Sequence, residues 1–172
     1  WKLKPLHREI LLSDTYRQSA VIENAAANEK DPDNKLWWKF PRRRLEAEEI
    51  RDAMLATAGR LNKKTGGASV IVPVEEELIT LLYKQSQWAV TPDVKEHDRR
   101  SIYLIAKRNL RLPFMEVFDS PDLQISCPRR ETSTHAPQAL ELLNGDHANQ
   151  MAGALAERLI ELAGKDPKRQ VT

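Results

Sequence analysis

FPRRRLEAEEIRDAMLATAGRL, residues 40–61, decides the fold class of this chain. Ala47, Ile50, Met54, Ala58 and Leu61 recur at helical spacing and form one apolar stripe, which Leu45 and Ala53 widen. Glu46, Glu48 and Glu49 fall where carboxylates oppose the positive end of a helix dipole. Arg44/Glu48 and Glu48/Arg51 are spaced for ion pairs on the polar side. Gly59 and Asn62 supply a left-handed termination. The spacing therefore predicts a one-sided helix over 45–61. Arg42, Arg43 and Arg44 precede it and point in different directions at about 100° per residue. They read either as structural ion pairs or as an anion site at a helix start. The ion-pair reading weighs more, because structural pairs are common.

Outward from this helix, the chain reads as mainly α: one helical domain, residues 1–164, of five or six helices with a minor extended segment, then a polar tail, 165–172. Leu3, Leu6, Ile10 and Leu11 share a face, with Pro5 tolerable in a first turn. Residues 20–28 are alanine-rich and suit a short helix. Asp31-Pro32-Asp33-Asn34 is turn chemistry. Val74–Lys84 reads as a short helix with Leu78, Leu81 and Leu82 inward. Ser101–Ala106 (SIYLIA) is the best strand candidate. Thr132-Ser133-Thr134 offers caps for a helix carrying Leu140 and Leu143. Asp146 caps the last helix, whose stripe is Ala148, Met151, Leu155, Leu159 and Leu162.

The 172 residues carry 27 basic and 25 acidic side chains, a net charge of +2. That excludes a general polyanion binder, and with no nucleic-acid motif it argues against a nucleic-acid role. No apolar run reaches the length of a membrane span. The single cysteine, Cys127, rules out an internal disulfide. Trp1 and the residues after it read as the interior of a longer polypeptide, so a missing leader carries little weight.

Candidate chemistry lies in basic patches: Arg42–Arg44, Arg99-Arg100, Lys107/Arg108/Arg111 and Arg129-Arg130. If Arg42, Arg43, Arg44, Arg99, Arg100, Arg108, Arg129 and Arg130 converge, they form a surface for phosphate, sulfate or uronate. Otherwise each pairs with a local acid. Trp37, Trp38 and Phe40 read first as core packed on the central helix; Trp37 and Trp88 are the aromatic candidates for a sugar-binding surface. Cys127 is a buried structural thiol by default, or a nucleophile with arginines beside it and His135 eight residues on. SCPRR at 126–130 with Thr134 looks like the core of a sulfatase signature, but His135 stands where glycine belongs, so the match reads as accidental. His7, His97, His135 and His147 form no metal-ligand pattern. No Cys-x-x-Cys-His occurs, so no haem c is expected on these residues.

Four ordered stretches carry a family resemblance: LHREILLSDTYRQSA (6–20), FPRRRLEAEEIRDAMLATAGRL (40–61), RRSIYLIAKRNLRLPFMEVFDSPD (99–122) and SCPRRETSTHAPQALELLN (126–144), the last leading into AGALAERL (152–159). Together they resemble the planctomycete-type PSD domain of unknown function, the DUF fifteen-fifty-three family. The resemblance implies the C-terminal part of a large exported bacterial protein. A second domain of unknown function and a cytochrome c-like haem domain would lie upstream. It implies an extracytoplasmic location, with upstream domains of the same polypeptide as partners. It supplies no catalytic residues. Two functions follow as expectations. One is a non-catalytic helical module that organises domains and binds an anionic polysaccharide through its arginines. The other is part of a redox or polysaccharide-processing enzyme whose site is completed by upstream domains.

Overall fold

The computed structural model describes residues 2–164; the predicted polar tail, 165–172, lies outside them. Among the described residues there are eight α-helices and three isolated β-bridges. The chain divides into two compact units, Trp1–Arg44 and Leu45–Thr172.

In the first unit, α1 (Leu3–Leu12) ends at Ser13, whose backbone N–H and hydroxyl both donate to the Ile10 carbonyl, at 3.2 and 2.7 Å. No residue of α1 is buried. Asn24 caps α2 (Ala25–Lys30), accepting from the Ala27 N–H at 3.0 Å. The following loop folds back on Asp31. The Asp31 carboxylate accepts from the N–H groups of Lys35 and Leu36 at 2.9 and 2.7 Å, and its carbonyl accepts from the Trp38 indole at 2.9 Å. Asn34 bonds Lys39 twice, through its amide nitrogen and its amide oxygen. Phe40 meets Tyr16 edge-on at 5.3 Å. Of the aromatic knot, expected as core, Trp38 and Phe40 are half-buried and Trp37 is exposed. Trp37 sits at φ 59°, a conformation held by the Asp31 and Asn34 bonds, and is 56% exposed.

The second unit is built on α3 (Ala47–Thr57). Glu46 and Glu49 cap it reciprocally, with the Glu46 N–H donating to Glu49 Oε2 at 2.9 Å. Gly59 ends it at φ 75°, and the N–H groups of Arg60 and Leu61 return to the Leu55 carbonyl. The helix is shorter than 45–61, but its termination is the one its sequence predicts. Its buried stripe differs: Ala47, Arg51 and Leu55, four apart. Arg51 is therefore on the core side, not the polar side.

Two apolar clusters are built on α3 and a third on the segments that follow it. Ala47 packs with Met115 and Phe118 from α6 (Pro113–Val117) and its end. Leu55 and Ala58 pack with Met151 of α8 (Asp146–Ala163). Leu82, Trp88 and Leu110 form the third, under α4 (Glu76–Thr80). Leu81, expected inward, is 79% exposed because α4 ends one residue before it. Ser101–Tyr103, expected as strand, is a 3₁₀ turn. Only Leu104 is bridged, to Val70, with Val70 N–H donating to Tyr103 O at 2.7 Å and Ile105 N–H to Val70 O at 2.9 Å. His135, not the preceding Thr/Ser run, is the N-cap of α7 (Ala136–Asn144), because Ser133 is bonded to Asp119 instead. Leu140 and Leu143 of α7 are exposed. Gly145 precedes α8 and Asp146 is its first residue. The α8 stripe is buried at Ala148 and Met151 but exposed at Leu159 and Leu162.

Candidate functional site

The arginines of the second unit fall into two arrangements. The first is internal. Arg51 reaches from α3 to the turn after α5 (Val94–His97). Its Nη1 donates to the Arg99 carbonyl at 3.0 Å and to Ser101 Oγ at 3.2 Å, and its Nη2 to the His97 carbonyl at 2.5 Å. Burial lowers its pKa, against the pull of Asp52 and Asp98. Next to it on α3, Asp52 accepts from the Ser101 N–H and hydroxyl, both at 2.7 Å, and pairs with Arg100 at 3.4 Å.

Arg99 is 1% exposed. Its Nη2 donates to Gly66 O at 2.5 Å, and its Nη1 pairs with Glu96 at 3.2 Å. Its guanidinium lies 3.7 Å from the Tyr103 ring centre, and Tyr103 Oη accepts from the Gly66 N–H at 3.0 Å. Gly66 (φ 75°) and Gly67 (φ 89°) let the 64–68 loop close around this guanidinium. Arg99 and Arg51 thus hold two loops against α3 through main-chain carbonyls.

The second arrangement is at the surface. Residues 119–132 form an open loop around a concavity of about 1000 Å³, lined among others by Arg111, Arg129, Arg130, Glu131, Ser126 and Cys127. Asp119 anchors one end at φ 61°, accepting from the Ser133 N–H at 2.8 Å and its hydroxyl at 2.7 Å. Gln138, buried on α7, donates to the Val117 carbonyl at 3.0 Å and steadies the same corner. Arg130 anchors the other end, gripping both carboxylate oxygens of Glu48 at 2.7 and 2.9 Å and Glu46 at 2.9 Å. The bond from Arg130 holds the Glu48 carboxyl below the usual carboxylate range, and Glu48 in turn raises Arg130. Arg111 pairs with Glu116 at the rim. Arg129 is exposed.

The structure distributes the sequence candidates accordingly. Arg129 and Arg130 line the concavity with Cys127, an exposed thiol rather than a buried one, donating to Arg129 O at 3.3 Å. Arg99 and Arg100 belong to the brace. Arg108 is exposed, and its carbonyl accepts from Gln124 at 3.2 Å. Trp88 is core, 4% exposed, with its indole donating to Val72 O at 3.0 Å. His135 starts α7, its Nε2 3.4 Å from Gln138 Nε2. Arg42, Arg43 and Arg44 lie in the first unit with Trp37; the first two are exposed and Arg44 is half-buried.

Arg51, Asp52, Asp119 and Gln138 escaped the sequence reading as functional residues. Arg51 had a usable signal, since it stands four residues from both Ala47 and Leu55. Asp119 had none, because its partners lie 14 and 19 residues away.

Among the described residues no group of three or more His, Cys, Asp or Glu side chains is placed to hold a metal ion. No described helix is long and apolar enough to cross a membrane. Residues 1–172 match the family model PSD1, described as a protein of unknown function (DUF1553). No curated protein and no solved structure matches the chain.

Proposed function

The chain belongs to the PSD1 family, and from that premise we propose that it is a non-catalytic helical module of a large extracytoplasmic, cytochrome-associated bacterial protein. It holds an anionic polysaccharide in the concavity of the 119–132 loop. The location and the haem-bearing upstream domains rest on the family resemblance of the four arginine-bearing stretches. The polysaccharide rests on one observation: Arg111, Arg129 and Arg130 line one open concavity. A groove of about 1000 Å³ with guanidinium groups on its wall suits sulfate or uronate groups on an extended chain. Glu48, behind Arg130, and Glu116, on the wall, hold two of these guanidiniums in place before a ligand arrives, which reduces the ordering cost of binding. Glu131 and Asp122 on the same wall oppose acidic ligands, so the affinity expected is modest and salt-sensitive.

Calorimetry with heparin, polygalacturonate and a neutral glucan tests the reading. The acidic polymers should bind and the glucan should not, and Arg129→Ser should weaken binding by about tenfold, the loss of one charge-assisted contact. Equal binding of the neutral polymer, or none by either acidic one, overturns it.

A further inference from the structure

A second cavity adjoins the 119–132 concavity and shares Arg111, Arg130, Ser120 and Pro121 with it. It lies within the second unit and measures about 180 Å³. Two apolar clusters meet there. Met115 belongs to the first and Leu110 to the third, and Leu112 packs against both. Leu104 extends the first cluster and Ile105 the third, and both line the cavity. An apolar cavity of about 150 Å³ is large enough to take up benzene. One ring, or a chain of the same bulk, therefore fits this one.

Four charged side chains stand on the same lining: Lys107, Arg111, Arg130 and Glu48. They are not equivalent. Arg130 is held by Glu46 and Glu48, and Arg111 by Glu116. Lys107 is half-buried and pairs with no carboxylate among the described residues. Its Nζ donates to the main-chain carbonyl and the side-chain amide oxygen of Gln87, at 3.2 and 3.1 Å. Both acceptors are neutral, so its charge is uncompensated. An ammonium has three N–H donors, and one is left over.

We propose that this cavity binds a small apolar carboxylate whose body is about the size of a benzene ring. The body covers the wall of Leu104, Ile105, Leu110 and Met115, and the carboxylate accepts the remaining N–H of Lys107. Burial of the body supplies affinity by area, and the ionic hydrogen bond supplies direction. The charges select the ligand. A cation would face three cations against one carboxylate. A neutral apolar molecule would desolvate the Lys107 ammonium and offer it nothing. A sugar ring would leave hydroxyl groups unsatisfied on the leucine and isoleucine wall. Glu48 repels an incoming carboxylate little, because Arg130 already grips both of its oxygens.

Methyl NMR of the full chain, labelled at leucine, isoleucine and methionine, tests this with three probes: phenylacetate, phenylacetamide and acetate. Phenylacetate should give saturable shifts at the methyl groups of Leu104, Ile105, Leu110 and Met115. It should bind at least about fivefold more tightly than the uncharged amide. Acetate, which has the head group without the body, should give no saturable shift there. Lys107→Met keeps the length of the stem and removes the charge. It should weaken phenylacetate about fivefold and leave phenylacetamide unchanged. No saturable shift up to about 20 mM phenylacetate overturns the site. So does equal affinity for the amide, or unaltered phenylacetate binding by Lys107→Met. Arg129 lines the concavity but not this cavity. Arg129→Ser should therefore leave phenylacetate binding unchanged, and a loss would place the ligand in the concavity and overturn the second site. The polysaccharide reading thus stands or falls separately.

Discussion

Residues 45–164 bury apolar side chains in three clusters, two of them on α3. Residues 2–44 bury one side chain, and it is an aspartate. Both regions read alike in sequence, with amphipathic helical spacing in each. The difference teaches that spacing predicts a helix but not what covers it. In the second unit the uncovered gaps between short helices are closed by guanidinium groups reaching main-chain carbonyls. In the first, a carboxylate closes a loop and the apolar face of α1 faces solvent.

The sharpest way to break the comparison is to remove the internal brace. Arg99→Ala leaves Gly66 O and Glu96 without their buried partner and opens a void beside Tyr103. It should destabilise the protein by about 3–5 kcal/mol in urea unfolding. A loss below about 1 kcal/mol would show that Arg99 is not what closes the 64–68 loop. Leu55→Ala, at a site with 0% exposure, should cost about 3 kcal/mol. Its counterpart in the first unit, Leu6→Ala, should stay within about 0.5 kcal/mol. If the two cost the same, the units do not differ in the way described.

The second unit also contains a built-in acid sensitivity. His147 packs edge-on against Phe114 at 5.4 Å, and its Nε2 has no hydrogen-bond partner. Burial, reinforced by Arg51 and Arg60, lowers its pKa from 6.5 to about 4. The unfolded chain therefore takes up this proton first. The stability it protects is complete above pH 6.5 and is lost as pH falls from 6.5 towards 4. The loss should be about 1–2 kcal/mol once the group's partial solvent access is allowed for. His147→Leu should remove that slope. A slope unchanged in the variant would assign it to other groups. Glu48, whose carboxyl is held low by Arg130, loses its contribution at lower pH, as pH falls from the ordinary carboxylate value of 4.5 through its own lowered one.

How much of this was legible follows from the range of the contacts. The capping box at Glu46 and Glu49 and the Gly59 termination are local, within about one helical turn, and the sequence carried both. The arginine-bearing stretches were legible as candidates. Their division was not, because Arg99 and Arg130 look alike in sequence: each belongs to an Arg-Arg pair with acids near. Arg99 turns inward because Lys64, Gly66 and Ala68, more than 30 residues away, present carbonyls to it. Arg130 stays at the rim because its carboxylates lie 82 and 84 positions back, at the start of α3. The strand expected at 101–106 failed for a related reason. Asp52 captures both the N–H and the hydroxyl of Ser101, which winds the segment into a turn and leaves only Leu104 to bridge Val70. The exposure of Trp37 was hidden by a left-handed backbone that no residue type at 36–38 announces.

The smallest expected effect has the opposite sign and tests whether the loop at Trp37 is strained. Trp37 has a Cβ at φ 59°, where glycine is at no disadvantage and a large side chain costs on the order of 1 kcal/mol. Trp37→Gly relieves that cost, but it frees the unfolded chain and gives up the buried part of the indole. The net gain should be only about 0.5 kcal/mol, confined to the loop. Hydrogen exchange at the Lys35 and Leu36 amides, both held by Asp31, reads it locally. Protection in the variant should equal or exceed that of the wild type. A marked loss of protection would mean that the indole itself holds the loop shut. The exposed Leu36–Trp37 pair would then be a by-product of packing, not a group the loop is built to present.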